Sequence, residues 1–383
     1  MALRTCPGLV RPWQVTLAFC LVYVAVVLAL NQGDVKTFVT IGSCYATCDF
    51  RLDVGCPEGT ENGYDGQYAY YIARDPGGSL GCMDVPAYRY QRILLPLLGR
   101  VLSLGVDSLI PVAFVLVNLI ALVTGTALLE RLLVAQGVSR WYALTYGLFF
   151  GVVVAVRLST TEPLAYGLAI LAIWLSHQGS ERPWLIALVL LAAMLTKETT
   201  GVFVAGFVLW YAARRRWRAA ATVALVVGIP FALWQLYLYS WIEAIGAGPG
   251  GGGKSSFELI PYNGMWRIYS DTGSLAVFLL LGGLFIPSVV IPSAWGVWVT
   301  LREVWCQRRR LSKVHLYAWL HLANAGILMI VPFSTYREFL GIFRFMVGMV
   351  ITHVLYAALR YPGRRPLIYS TLWIVLLVFV VSG

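Results

Sequence analysis

The chain has 383 residues, of which 59% are hydrophobic and only 12% charged, and its mean hydropathy is +0.74. Soluble domains carry about 25% charged residues, so this composition excludes a water-soluble globular protein and places most of the chain in lipid. The net charge of +11 does not point to nucleic acid, because the basic residues cluster between apolar runs, where they set membrane orientation.

The first apolar run, 13–30, follows Arg4 and Arg11. It is long enough to span a bilayer, and no small-x-small cleavage site follows Leu30; Asn31-Gln32-Gly33-Asp34 comes next. It reads as a retained first helix and not as a removed signal peptide. Ten further runs lie at 109–130, 141–156, 163–177, 183–196, 199–213, 219–241, 273–301, 314–331, 340–359 and 366–382. Several make only about 21 Å of helix against a hydrocarbon core of about 30 Å. Charge placement keeps the short ones separate. With eleven spans and the N-terminus inside, the inner loops collect Arg131, Arg140, Arg182, Arg214–Arg218, Arg302, Arg308–Arg310, Lys313, Arg360, Arg364 and Arg365. Fusing either short pair would export the later basic loops, against the positive-inside rule. The sequence therefore predicts an all-α polytopic membrane protein. It forms one domain over 1–383, with about eleven transmembrane helices and outer loops at 31–107 and 242–271.

The loop 31–107 holds Cys44, Cys48, Cys56 and Cys82. An even number in an exported loop predicts two disulfides, with three pairings open. No histidine lies nearby and no C-x-x-C occurs, which disfavours a metal site. Cys6, Cys20 and Cys306 read as packing residues in or near the membrane. Within the loop, Tyr64-Asp65-Gly66-Gln67 opens a short aromatic, amphipathic helix suited to the membrane surface. Asp65 is either the cap of that helix or a carboxylate held where a lipid headgroup would sit. A second interfacial element runs over 87–104, offering Arg89, Arg92 and Arg100 for phosphate.

This layout resembles the GT-C superfamily of integral membrane glycosyltransferases, and more closely its bacterial members linked to cell-surface glycopolymers. The likeness rests on Tyr64-Asp65-Gly66-Gln67 with Tyr88-Arg89-Tyr90-Gln91-Arg92-Ile93-Leu94, on Lys197-Glu198-Thr199, and on Arg337-Glu338. It implies transfer of a hexose or pentose from a polyprenyl-phosphate donor to a glycan, lipid or protein acceptor on the extracytoplasmic face of a bacterial inner membrane. It also implies that an acidic residue of the first outer loop is the base, a role that falls on Asp65. The acidic pair of some branches is absent, which leaves divalent-metal dependence open, and no other cofactor is implied.

Inverting transfer needs a carboxylate to take the acceptor proton, cations to offset charge on the leaving phosphate, and an apolar groove for the carrier. Asp65 is the expected base. Tyr64, Gln67, Arg89, Arg92, Lys197, Glu198, Arg337 and Arg344 are the expected donor-binding residues. Lys197-Glu198 joins two short helices at a depth where charge is costly and is either paired or functional. Arg157 and Glu162 flank a tight turn at Ser159-Thr160-Thr161 and are expected to pair with each other or touch the donor. Gly248 to Gly253 followed by Lys254-Ser255 meets the G-x-x-x-x-G-K-[ST] spacing. It follows no strand and lies outside, so it reads as a lid with Lys254 near the carrier phosphate. His177, His315, His321 and His353 show no metal-ligand spacing, and His321 and Asn324 are expected to bond between helices. The competing reading is a flippase or transporter of lipid-linked sugars; such proteins often carry an internal repeat, and none is visible here.

Overall fold

The computed structural model describes residues 10–50, 55–178, 182–246 and 257–382. The glycine run with Lys254 and Ser255, together with Arg4, Cys6 and Glu181, lies outside the described residues. Every regular element among the described residues is helical.

Helix α1 (Pro12–Leu30) starts at a proline, and the Arg11 N–H donates to Gln14 Oε1 at 2.8 Å, closing the first turn. The segment 31–107 then contributes α2 (Gly66–Arg74), α3 (Pro86–Tyr90) and α4 (Leu94–Leu102), and α5 (Ile110–Ala135) follows. The run 141–156 is broken at Leu148–Phe149 into α6 (Leu144–Gly147) and α7 (Phe150–Arg157). Next come α8 (Glu162–Leu175), α9 (Pro183–Thr196), α10 (Gly201–Ala213) and α11 (Trp217–Ile242). Prolines again sit in the first turns of α5, α8 and α9, where the missing N–H costs nothing.

The surface helix α12 (Asn263–Thr272) precedes α13 (Leu275–Phe285) and α14 (Ile291–Cys306). These two run on through a π turn at Ile286–Val290 that accommodates Pro287. The chain closes with α15 (Leu316–Met329), α16 (Phe333–Arg337), α17 (Phe339–Phe345), α18 (Val347–Arg360), α19 (Arg365–Tyr369) and α20 (Leu372–Val375). All eleven predicted runs thus fall on helical segments. Among the described residues, four stretches are long and apolar enough to cross a membrane, namely Pro12–Leu30, Asp107–Ala135, Trp217–Ile242 and Leu275–Cys306. A fifth is added if α17 and α18, bent by 47°, are one span. The remaining runs are shorter or broken helices, and by length and composition alone the structure supports four or five spans.

One end of the bundle gathers Arg11, Glu130 and Arg140, with both arginines within 4 Å of the carboxylate. Arg360 similarly meets Glu303. All five lie on the end predicted to be inner. The opposite end gathers the carboxylates and cations described in the next subsection.

The main core is built from α5, α7, α8, α10, α15 and α18. A smaller core belongs to the loop 31–107: Tyr45, Tyr68, Tyr70, Tyr71, Ile72 and Tyr90 pack with Phe114 of α5 and Leu238 of α11. Consequently α2 is largely enclosed by protein: Gly66 to Ala73 are buried apart from a half-buried Ala69. Helix α4 does keep an apolar outer face, exposing Leu97, Val101 and Leu102, and fits the interfacial role.

Disulfides Cys44–Cys56 and Cys48–Cys82 staple this loop core. Each closes a loop whose restriction in the unfolded chain contributes on the order of 3 kcal/mol. Peptide mapping of unreduced protein should recover these two linkages, with Cys20 and Cys306 as free thiols. A Cys44–Cys48 linkage, or four loop thiols alkylated without reduction, would contradict the pairing.

Candidate active site

Each residue of Tyr64-Asp65-Gly66-Gln67 has a separate structural task. Asp65 occupies the position before α2, yet its side chain makes no capping hydrogen bond. It points instead at two guanidiniums: Oδ1 accepts from Arg89 Nη1 at 2.9 Å and Oδ2 from Arg344 Nη1 at 2.9 Å. The capping role considered for Asp65 is therefore not the one it plays. Gly66 is required by close approach, because a Cβ there would lie 2.1 Å from the Leu158 carbonyl oxygen. That contact sets α2 against the turn between α7 and α8. Gln67 is fully buried; its Oε1 accepts from Gly42 N–H at 3.0 Å and its Nε2 donates to the Asn62 carbonyl at 2.7 Å. It ties two segments of loop together and is not among the residues lining the pocket.

Three arginines surround Asp65, and each is held from behind by a carboxylate of its own. Arg89 donates from Nε to Asp84 Oδ1 at 2.8 Å and from Nη2 to Asp84 Oδ2 at 2.7 Å. Arg92 forms the same two-pronged pair with Glu198, at 2.7 and 2.6 Å. Arg344 meets Glu162 Oε1 through Nε at 2.9 Å and Nη2 at 2.8 Å. Such forked pairs fix a guanidinium's direction as well as its charge. Tyrosine rings support the same groups: the Arg89 guanidinium lies 4.0 Å over Tyr68, and that of Arg92 lies 4.3 Å over Tyr88. Arg92 also donates to the Tyr88 hydroxyl.

Lys197 and Glu198 do not pair with each other. Lys197 Nζ donates to Glu162 Oε1 at 2.7 Å, while Glu198 turns to Arg92. Glu162 has no solvent exposure, and Thr160 Oγ1 donates to its second oxygen at 2.6 Å. The expected Arg157–Glu162 pair does not form either; Arg157 lies on the far side of α2. Arg337 is exposed and absent from the cluster. Arg100 donates to the carbonyls of Ala73 and Arg74, closing the end of α2. His321 does bond between helices, to Thr352 at 3.3 Å, whereas Asn324 donates to Leu320 of its own helix.

Burial and charge set the protonation of the outer groups. Burial works against a charged Arg89, but Asp65 and Asp84 more than offset it, and its pKa rises well above the usual value. Burial likewise opposes the charge of Arg92, and Glu198 outweighs it. Burial pushes the Tyr64 hydroxyl up to about 12 although Arg344 pulls the other way. Tyr64 thus stays a neutral phenol, accepting from Arg344 Nη1 at 2.8 Å.

The pocket among Asp65, Arg89, Arg92, Ser159, Thr161 and Arg344 is small, about 30 Å³. Asp65 keeps about a third of its side-chain surface open, at 32%. The hydroxyls of Ser159 and Thr161 are buried without hydrogen-bond partners. Ser159, Thr161 and the partly open Asp65 carboxylate line one small space, a ready place for a polar ligand. Asp84, Ser159 and Thr161 are missing from the predicted site; Glu162 is expected from the sequence to pair with Arg157 or touch the donor, and Tyr88 stands in the motif without a site role. For Ser159 and Thr161 the signal is the turn Ser159-Thr160-Thr161-Glu162 between two short apolar runs. A wider cleft, about 630 Å³, lies away from this cluster among Trp184, Arg215, Trp217 and Arg218. Comparison with protein-family models, curated proteins and solved structures yields no match for the chain.

The buried pairing at Glu162 carries a stability prediction. Glu162→Ala leaves Lys197 and Arg344 buried with a missing partner, which should cost roughly 3–5 kcal/mol. Denaturant titration of detergent-solubilised protein checks this, and Glu162→Ala combined with Lys197→Met should recover part of the loss. A change under about 1 kcal/mol would mean that the pairing is not structurally required.

Proposed function

We propose that this chain is a GT-C-type membrane glycosyltransferase, moving a hexose or pentose with inversion from a polyprenyl-phosphate carrier to an extracytoplasmic acceptor. The observation that carries the reading is the convergence on Asp65. Residues from 64 to 344 meet at one bundle end, where three braced arginines and two unpaired hydroxyls surround a partly open carboxylate. Polar clusters at such depth are expensive in a membrane protein and mark function more often than structure.

In this mechanism the acceptor hydroxyl attacks the anomeric carbon and Asp65 takes its proton. The bond from that carbon to the phosphate oxygen breaks, and its electron pair leaves with the phosphate. Arg92, Arg89 and Arg344 offset the charge that grows there. The cluster itself is balanced: Asp65, Asp84, Glu162 and Glu198 stand against Arg89, Arg92, Lys197 and Arg344. An anion is therefore not drawn in by net charge and must replace Asp65 as an arginine partner. Arg92 suits first contact, because its Nη1 makes no hydrogen bond among the described residues. When the phosphate also takes an amino group of Arg344 or Arg89, an Asp65 oxygen is released to act as base. Lys197 acts indirectly, by helping Glu162 hold Arg344 in place.

We further propose eleven crossings, with short helices such as α8, α9 and α10 setting the site below the outer surface of a bacterial plasma membrane. Two observations support this. Every predicted run falls on a helical segment, and the residues predicted inner and outer gather at opposite ends.

Purified protein in lipid, supplied with radiolabelled polyprenyl-phosphate hexoses and pentoses, tests the reading. Asp65→Asn should lower transfer to cell-envelope acceptors by roughly two to four orders of magnitude while donor binding survives. Normal turnover by well-folded Asp65→Asn protein would move the base elsewhere. Sugar crossing the bilayer without transfer would favour a flippase.

A further inference from the structure

A second cleft, about 650 Å³, lies behind α2 from Asp65. Both spaces share two walls. Helix α2 turns Tyr68 and Ala69 to the Asp65 pocket and Tyr70, Tyr71 and Arg74 to the cleft; the turn after α7 gives Ser159 and Thr161 to the pocket, and the last residue of α7, Arg157, lines the cleft. The cleft's outer wall is the start of loop 31–107, with Asn31, Lys36, Thr37 and Thr40.

Its polar groups are unevenly satisfied. Arg157 makes no ion pair among the described residues, and its Nε is inaccessible to solvent without a hydrogen-bond partner. Tyr23 of α1, within electrostatic reach of Arg157, has a buried hydroxyl in the same condition. What bears on the cleft is Arg157 itself, which lines it and carries a charge with no carboxylate partner among the described residues, so the cleft offers an uncompensated cation to an anionic ligand. The other charges are mostly spoken for. Arg74 meets Asp107 at 3.0 Å, and Asp34 accepts from the Lys36 backbone N–H at 2.9 Å. The exposed ammonium of Lys36 has no carboxylate partner among the described residues. Asn31, Thr37, Thr40 and Tyr70 add amide and hydroxyl groups and a ring face. An arginine fork beneath such groups suits a carboxylate or phosphate carried on a hydroxyl-rich molecule.

We propose that this cleft binds an anionic, hydroxyl-rich glycan segment through Arg157 and Lys36. Its assignment as the acceptor side rests on the transfer reading; its binding chemistry does not. The cleft is also joined to the pocket through backbone, since the Thr40 carbonyl accepts from Tyr64 N–H at 2.9 Å. A filled cleft would thus help fix the residue beside Asp65.

Equilibrium dialysis of the full chain in phosphatidylcholine nanodiscs tests the proposal, with labelled trigalacturonate as probe and maltotriose as the neutral control. Trigalacturonate should bind and maltotriose should not. Arg157→Gln should weaken binding about tenfold or more, the loss expected for a charge-assisted hydrogen bond. The exposed Lys36→Gln, which poses no folding risk, should weaken it by a smaller factor. Asp65→Asn should bind as the unaltered protein does, so loss of transfer and loss of cleft binding are separately visible. Equal binding by Arg157→Gln, Lys36→Gln and unaltered protein would overturn the proposal. So would Arg157-dependent retention of phosphatidylglycerol with no trigalacturonate bound, which assigns the cleft to a lipid headgroup.

Discussion

Glu162 has no solvent exposure and carries three partners: Lys197 Nζ at 2.7 Å, Arg344 Nη2 at 2.8 Å and Thr160 Oγ1 at 2.6 Å. A bare carboxylate in this position would be prohibitive, and two cations at contact distance make it tolerable only together. The pairing fixes three separate pieces of chain at one point: the start of α8, the end of α9 and the helix before α18. Everything aimed at Asp65 from that side depends on it. Arg344 can reach Asp65 only because Glu162 holds the rest of its guanidinium. Glu198 is turned towards Arg92 from the residue next to Lys197.

The other side of Asp65 is set by a different kind of force. The loop 31–107 carries enough tyrosine, together with two disulfides, to build a small core of its own against α5 and α11. That core buries α2 and fixes the direction in which the helix begins. Gly66 then lets the helix touch the Leu158 carbonyl, and Gln67 ties the preceding loop down. The carboxylate between them is left with one open direction, towards Arg89, Arg344 and the pocket. A rigid apolar and covalent scaffold on one flank and a buried ionic network on the other hold a group that neither would place alone.

The legible parts of this architecture were those written locally. Apolar runs located the long helices of the bundle but not the surface helix α12, the four loop cysteines indicated two disulfides without their pairing, and an Asp-Gly beside aromatic residues marked Asp65. Contacts between distant segments were not legible. Nothing near Lys197 indicates that its partner is Glu162 and not its neighbour Glu198. Arg100 and Gln67 resembled ligands by residue type, and both serve backbone groups. The break at Leu148–Phe149 and the 47° bend between α17 and α18 also escaped, because an unbroken hydrophobic run carries no record of where packing interrupts it. Short helices of 13 or 14 residues, such as α8, α9 and α10, are the reason composition alone cannot count the spans.

The central claim is that donor phosphate replaces Asp65 as an arginine partner and thereby releases the base. A cryo-electron-microscopy structure with a non-transferable polyprenyl-phosphate sugar analogue addresses it most directly. The account predicts phosphate density on Arg92 and on Arg344 or Arg89, with at least one Asp65 oxygen no longer bonded to a guanidinium. Phosphate bound elsewhere, with both Asp65–arginine contacts intact, would contradict it.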